Sequence, residues 1–362
     1  MTPNTFAQDT SASTASATLV WDLPLRLFHW SLVVTVSFAA ITGYVFEDLW
    51  LDLHAYIGYA LISLLAFRLV WGFVGSHYSR FATFPLSRAE TTGHLKQLLR
   101  GRSEASTGHT PLGAWMIVVL LGLLAALSLS GLVVWGGQEN DGPLAGVIGY
   151  HAGEAFEELH EILANLLMFA IAGHLLGVVM ETHIFKHPVV QAMISGEKPL
   201  RGGAPKSAPS FWHTLGGAAV FAGVAFAMSY WISTANAAAL SSSTPTIAPS
   251  ALIADYAAQA RQQASAFDGF SAARGQAFFY ATPGGGKPET PSCTSCHGKD
   301  PKKAGLSRAG KVIESLAVSV TPNRYTDPTK VEKWFRRNCK SVLGRPCTAL
   351  EKGDFLTFMQ SQ

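Results

Sequence analysis

The chain has 362 residues, with 27 Lys and Arg against 24 Asp and Glu and a formal net charge of +3. Hydrophobic residues make up 48% and charged residues only 14%, and the apolar residues fall in blocks, which is the composition of a membrane protein and not of a soluble enzyme. The small positive balance averages two unlike halves and gives no footing for a nucleic-acid partner; no Ser-His-Asp constellation, phosphate loop or dinucleotide fingerprint stands in a supporting context.

Residues 1–20 are rich in Ser, Thr and Ala, contain no Lys or Arg, and lack the charged start of a secretory signal, so a disordered tail is expected. Five apolar stretches then reach the length of about 20 residues that crosses a bilayer as a helix: Trp30 to Leu49, Ala55 to Val74, Leu112 to Trp135, Ile162 to Met180 and Trp212 to Ile232. Arg80, Arg88, Lys96, Arg100 and Arg102 lie between the second and third stretches, and Lys186, Lys198, Arg201 and Lys206 precede the fifth, which marks both segments as cytoplasmic. The alternate segments hold no basic residue but carry Glu47, Asp48 and Asp52, then Glu139, Asp141, Glu154, Glu157 and Glu158, and are expected on the periplasmic side. Five crossings leave the N-terminus cytoplasmic and deliver everything after Ser233 to the periplasm. Residues 235–250, all uncharged and rich in Ala, Ser, Thr and Pro, read as a flexible linker, and 251–362 as a small soluble domain.

In that last domain Cys293-Thr-Ser-Cys296-His297 is a C-x-x-C-H sequence, in which the two thiols would hold a haem covalently and His297 would ligate its iron. The bland alternative is a disulfide or zinc pair that happens to precede a histidine. Cys339 and Cys347 are an even pair in an oxidising compartment, where a disulfide is the expectation and a free or metal-binding pair the alternative. No His follows His297, and Met359 near the C-terminus is the only later Met. The local sequence therefore leaves three choices for the sixth position: an open site, a Lys, or a weak neutral ligand such as Asn.

Four of the 12 His stand out among the apolar stretches. His29 begins the first and His54 the second; His160 and His174 lie on the fourth, and 174 − 160 = 14 residues is close to four helical turns. Both then face one way, roughly 21 Å apart along the axis. Depth pairs His54 with His160 on the periplasmic side and His29 with His174 on the cytoplasmic side, each pair suited to a six-coordinate haem b. For any one of these residues alone, a surface or snorkelling His is the competing account.

Two resemblances extend this reading. Trp21-Asp-Leu-Pro-Leu-Arg-Leu-Phe-His-Trp30, His54-Ala-Tyr-Ile-Gly-Tyr59, Arg68-Leu-Val-Trp-Gly72, Gly108-His-Thr-Pro-Leu-Gly113, Leu159-His-Glu-Ile-Leu-Ala-Asn165 and Met193-Ile-Ser-Gly-Glu-Lys198 make residues 19–198 similar to the bacterial cytochrome b561 family, which includes b-type subunits of nickel-iron hydrogenases. The resemblance implies haem b ligation by His29, His54, His160 and His174; Arg68 would then lie near a haem propionate or serve as a cytoplasmic anchor. From Ala251 onward, Gly284-Gly-Gly-Lys-Pro288, Pro291-Ser-Cys-Thr-Ser-Cys-His-Gly298, Thr326-Asp-Pro328, Lys330-Val-Glu-Lys-Trp-Phe-Arg-Arg-Asn-Cys339 and Gly344-Arg-Pro-Cys347 resemble the sphaeroides haem protein family of gas-binding cytochromes c. That likeness implies Asn338 as a displaceable sixth ligand and a Cys339–Cys347 disulfide.

The expected fold is all-α: a four-helix membrane dihaem b bundle over 21–200, a fifth membrane helix with its preceding segment over 201–234, and a small helical cytochrome c domain. The expected cofactors are two haems b and one covalent haem c. The expected partners are the lipid bilayer, a membrane quinol, and a soluble cytochrome or a diatomic gas, with His151 a candidate proton acceptor at a quinol site near His54 and His160. A gas-binding or redox-sensing module, or an anchor for a separate dehydrogenase or hydrogenase, is the alternative function.

Overall fold

A computed structural model describes residues 16–45, 50–103, 106–139, 141–200, 210–241, 248–263, 266–307 and 312–362. Glu47, Asp48, Arg201 and Lys206 lie outside the described residues, as does the side chain of His151. The described residues are mostly helical. Five helices are long and apolar enough to cross a membrane: α1 (Leu23–Tyr44), α2 (Leu51–Val74), α4 (Pro111–Gln138), α5 (Tyr150–Val179) and α7 (Phe211–Ser241), with short helices α3 (Arg88–Leu99) and α6 (Val189–Ser195) between them. The remaining helices are α8 (Pro249–Gln263), α9 (Ala272–Tyr280), α10 (Thr294–His297), α11 (Pro328–Leu343) and α12 (Ala349–Ser361). The chain divides into two compact units, 1–133 with 155–233, and 134–154 with 234–362.

The first unit is organised by a buried carboxylate. Asp22 caps α1 by accepting from the Leu25 amide at 2.7 Å, and Pro24 in the first turn fits because its missing N–H would have no partner there. The helix therefore starts at Leu23, ahead of the apolar stretch that begins at Trp30. The same carboxylate accepts from Trp71 Nε1 at 3.2 Å, from Ser79 Oγ at 2.7 Å and from Ser76 Oγ, tying the end of α2 and the turn after it to the start of α1. Around it pack Val20, Trp21, Leu25, Phe28, Leu64, Phe67 and Trp71. Helix α7 approaches this cluster through glycine: a Cβ on Gly217 would lie 2.3 Å from Pro24 Cγ.

Two boundaries differ from expectation. Part of the expected tail is structured: β1 (Ser16–Leu19) pairs antiparallel with β2 (Glu197–Leu200), and Val20 is fully buried. Pairing satisfies backbone groups that the short Ser-Ala-Thr-Leu run does not advertise in sequence. The expected linker 235–250 is also partly helical, since α7 runs to Ser241 and α8 starts at Pro249; its Ala-rich beginning has the highest intrinsic helix propensity.

The second unit has its own core of Leu252, Tyr256, Phe279, Leu316, Tyr325, Val331, Phe335, Leu356, Phe358 and Met359. Helices α9 and α12 cross in close contact because Gly275 has no side chain; a Cβ there would fall 2.0 Å from the Asp354 carbonyl oxygen. Beside the crossing the buried Asp354 carboxylate accepts from Arg274 Nε and from the Ser271 amide, both at 2.7 Å. Capping fixes the other ends: Asp327 begins α11, Gly344 at φ 69° ends it, and Thr348 with Glu351 forms a capping box on α12. The connection 134–154 belongs to this unit, where Glu139, only 6% exposed, pairs with Arg337 Nε at 2.8 Å and Lys333 Nζ at 3.1 Å on α11.

Candidate functional site

In the first unit the chain brings His54 and His160 together, with ring centroids 6.3 Å apart and ring planes at 81°. At a metal–nitrogen distance of about 2 Å a ring centre lies roughly 3 Å from the metal, so two opposed rings about 6 Å apart fit one iron between them. The Nδ1 of His54 lies 2.8 Å from Thr42 Oγ1, and that of His160 lies 3.0 Å from Ser130 Oγ, so the nitrogens left over are the Nε2 atoms. Glycine makes room beside each ring: a Cβ on Gly43 would come within 3.2 Å of His54 Cε1, and one on Gly131 within 3.0 Å of His160 Cε1. Thr42 and Ser130 carry no motif, but each is a hydroxyl residue followed by Gly in an apolar helix, a pattern visible in the sequence once the rings are placed.

His29 and His174 are close enough to interact electrostatically, and the buried Nδ1 of His29 has no hydrogen-bond partner within the protein. Arg68 is 3% exposed, so it is not a surface anchor. Its guanidinium lies 4.4 Å from the centre of the Phe81 ring, and its buried Nη1 lacks a protein acceptor. Beside it, His109 is held between the Trp21 and Phe84 rings, each at 4.6 Å. Lys198 Nζ donates to the Gly108 carbonyl at 2.9 Å. Burial, with Lys198 and Arg68 nearby, pushes the His109 pKa down to about 3. The unfolded chain protonates this residue below its ordinary value of 6.5, whereas the folded chain does not. The contribution of His109 to stability is therefore full above pH 6.5 and is lost as pH falls from there toward 3. Between pH 7.5 and 5 the wild-type melting midpoint in detergent should drop by about 5 °C more than that of His109→Phe, as followed by circular dichroism.

In the second unit, α10 is the single turn Thr294–His297, closed by the His297 amide on the Cys293 carbonyl at 3.2 Å. Cys293 and Cys296 are not bonded to each other. Among the described residues no group of three or more His, Cys, Asp or Glu is placed to hold a metal ion, so the zinc alternative has no donor set. Burial pushes the Cys293 thiol up to about 11 and His297 down to about 4, the latter helped by Arg324. The buried Nδ1 of His297 has no protein partner. Two thiols and an imidazole on one turn suit a covalently attached haem and its proximal ligand.

The segment before this turn is tied to the end of α11. Lys287 N donates to the Ser341 carbonyl at 2.7 Å, Thr290 Oγ1 bonds the Ser341 hydroxyl at 2.7 Å, and a Cβ on Gly286 would strike the Ser341 carbonyl oxygen at 2.3 Å. Cys339 and Cys347 form a disulfide, with Cα atoms 5.6 Å apart, that joins α11 to the start of α12. Asn338, one residue earlier, is exposed. Met359 is wholly buried in the core cluster of this unit.

Comparison with known proteins agrees with this division. Residues 20–196 match the family described as prokaryotic cytochrome b561, and residues 265–359 match a domain of unknown function (DUF1924). Cytochrome c-type protein SHP of Cereibacter sphaeroides is 52% identical over 114 residues, which is 32% of this chain and 84% of that protein. Cytochrome c'' of Methylophilus methylotrophus is 35% identical over 92 residues, covering 24% of this chain and 62% of that one. Among solved structures, oxidised SHP, titled an oxygen binding cytochrome c, is 50% identical and matches 33% of this chain and all (100%) of its own, with a TM-score of 0.30.

Proposed function

Because the chain belongs to the SHP family of c-type cytochromes through its C-terminal region, and carries a prokaryotic cytochrome b561 domain before it, we propose that this membrane electron-transfer haem protein is a quinol-linked relay. The bound haems would supply one-electron chemistry: two haems b carrying electrons from a membrane quinol, and one haem c delivering them to a soluble acceptor or a diatomic gas. His54 with His160 would hold one haem b and His29 with His174 the other; Cys293 and Cys296 would attach the haem c, and His297 and Asn338 would hold its iron. The observation that carries this reading is the His54–His160 pair, with ring centroids 6.3 Å apart, inside a set of membrane-length helices.

A haem held by two imidazoles would be suited to electron transfer and closed to a gas. Asn338 offers only a neutral amide oxygen, a hard and weak donor that holds ferric iron better than ferrous, so reduction would loosen it. The 52% identity to cytochrome c-type protein SHP over 114 residues supports this reading of the c domain. The Lys and Arg distribution supports a cytoplasmic N-terminus and a periplasmic C-terminal domain. Arg68, with a buried unpartnered Nη1, is suited to a propionate of the haem held by His29 and His174.

The test is a stepwise reduction of the purified protein with a quinol, followed by carbon monoxide, read optically. The b bands should reduce first, the c band next, and only the c signal should respond to the gas. A c signal that stays oxidised while both b signals are reduced contradicts the route, and one that ignores carbon monoxide contradicts the Asn338 assignment.

A further inference from the structure

Thr42 and Ser130 share one arrangement on different helices. Thr42 Oγ1 donates to the Phe38 carbonyl at 2.9 Å, with the Ala39 carbonyl at 3.1 Å, and Ser130 Oγ donates to the Leu127 carbonyl at 2.9 Å. A hydroxyl has a single hydrogen. With that hydrogen on a helix carbonyl, the oxygen is left to accept from the nearby imidazole, an arrangement that places the proton on Nδ1 in both His54 and His160. The Nε2 lone pair of each ring is then free. Both hydroxyl residues are buried, at 1% and 2% exposure, so water does not compete for these bonds. Gly43 and Gly131, next in sequence, admit the rings to within reach of the hydroxyls. His29 differs, since its buried Nδ1 finds no acceptor in the protein.

We propose that Thr42 and Ser130 are positioning residues that fix the tautomer of His54 and His160 and raise their donor strength, lowering the reduction potential of the haem b that these two rings would hold. An N–H bonded to a polarised hydroxyl shifts electron density toward Nε2, and a richer nitrogen stabilises ferric over ferrous iron. The two hydroxyls thereby make the two b sites unequal, with the His29–His174 site receiving no such bias at His29. The proposal rests on the haem b reading above and deepens it.

Full-length protein in detergent tests it, with Thr42→Val, Ser130→Ala, the double variant and Thr42→Ser, by spectroelectrochemical titration and electron paramagnetic resonance of the ferric haems. The midpoint of one b haem should rise in each single variant and rise further in the double. The other b haem and the c haem should keep their wild-type midpoints, and Thr42→Ser should match wild type. Loss of that haem in Thr42→Val with retention in Thr42→Ser also supports the proposal, because Thr42→Val removes the hydroxyl while keeping the side-chain shape and Thr42→Ser keeps the hydroxyl. Wild-type midpoints in the double variant, or equal shifts of both b haems, overturn it. A wild-type protein that holds one haem b or none overturns the underlying reading as well.

Discussion

Replacing His54 or His160 by Ala should remove one haem b, leave the other haem b and the covalent haem c in place, and abolish reduction of the c site by quinol. The two ring centroids lie 6.3 Å apart and each Nδ1 is taken by a hydroxyl, which leaves both Nε2 atoms for an iron, so neither ring can be spared without leaving that iron held from one side. The helices themselves should persist. The cluster around Asp22, with Trp21, Phe28, Phe67 and Trp71, does not include either ring, and its burial holds the other end of α1 and α2 together. The optical spectrum of the reduced variant should thus lose about half of its b-type absorbance, and steady-state reduction of the c band by quinol should be lost. Retention of both b haems in His54→Ala and His160→Ala would show that these rings are core residues.

Asn338→His should convert the c site from gas-responsive to gas-inert. The substitution puts an imidazole where an exposed amide stands, one residue before the Cys339–Cys347 disulfide that fixes this part of α11. Imidazole binds ferrous and ferric iron alike, whereas the amide oxygen favours the ferric form. Carbon monoxide at concentrations that saturate the wild type should leave the variant's reduced c band unshifted, and its reduction by quinol should continue. Asn338→Ala should do the opposite and respond to small ligands in the oxidised state too. If both variants respond like wild type, the sixth position belongs to another residue.

Much of this architecture is visible in the sequence because hydrocarbon leaves the backbone few choices. Stretches of apolar residues must be helices there, and the 14-residue step from His160 to His174 then fixes which way both rings face. The C-x-x-C-H turn is equally plain, since its chemistry is local. What the sequence hides depends on partners distant along the chain. Asp22 reads as one polar residue in a Trp-Asp-Leu-Pro motif, and only the fold shows it accepting from Trp71, Ser76 and Ser79. Thr42 and Ser130 look like ordinary helix hydroxyls bonding back to their own carbonyls until a ring from another helix is placed beside each. Glu139 reads as one of several exposed acids, yet it is buried and paired with Lys333 and Arg337 from a segment nearly two hundred residues later. Short pairing of Ser16–Leu19 with Glu197–Leu200 carries no alternating apolar pattern to announce it.

The central claim is that one chain holds both kinds of haem, and the most direct test is a haem count on purified, denatured protein. Acid-acetone extraction followed by pyridine haemochrome spectra should release two haems b per chain and leave one haem c attached to the polypeptide, with the attached haem absent from a Cys293→Ala, Cys296→Ala variant. A chain that retains no haem after extraction, or that releases fewer than two, would contradict the account.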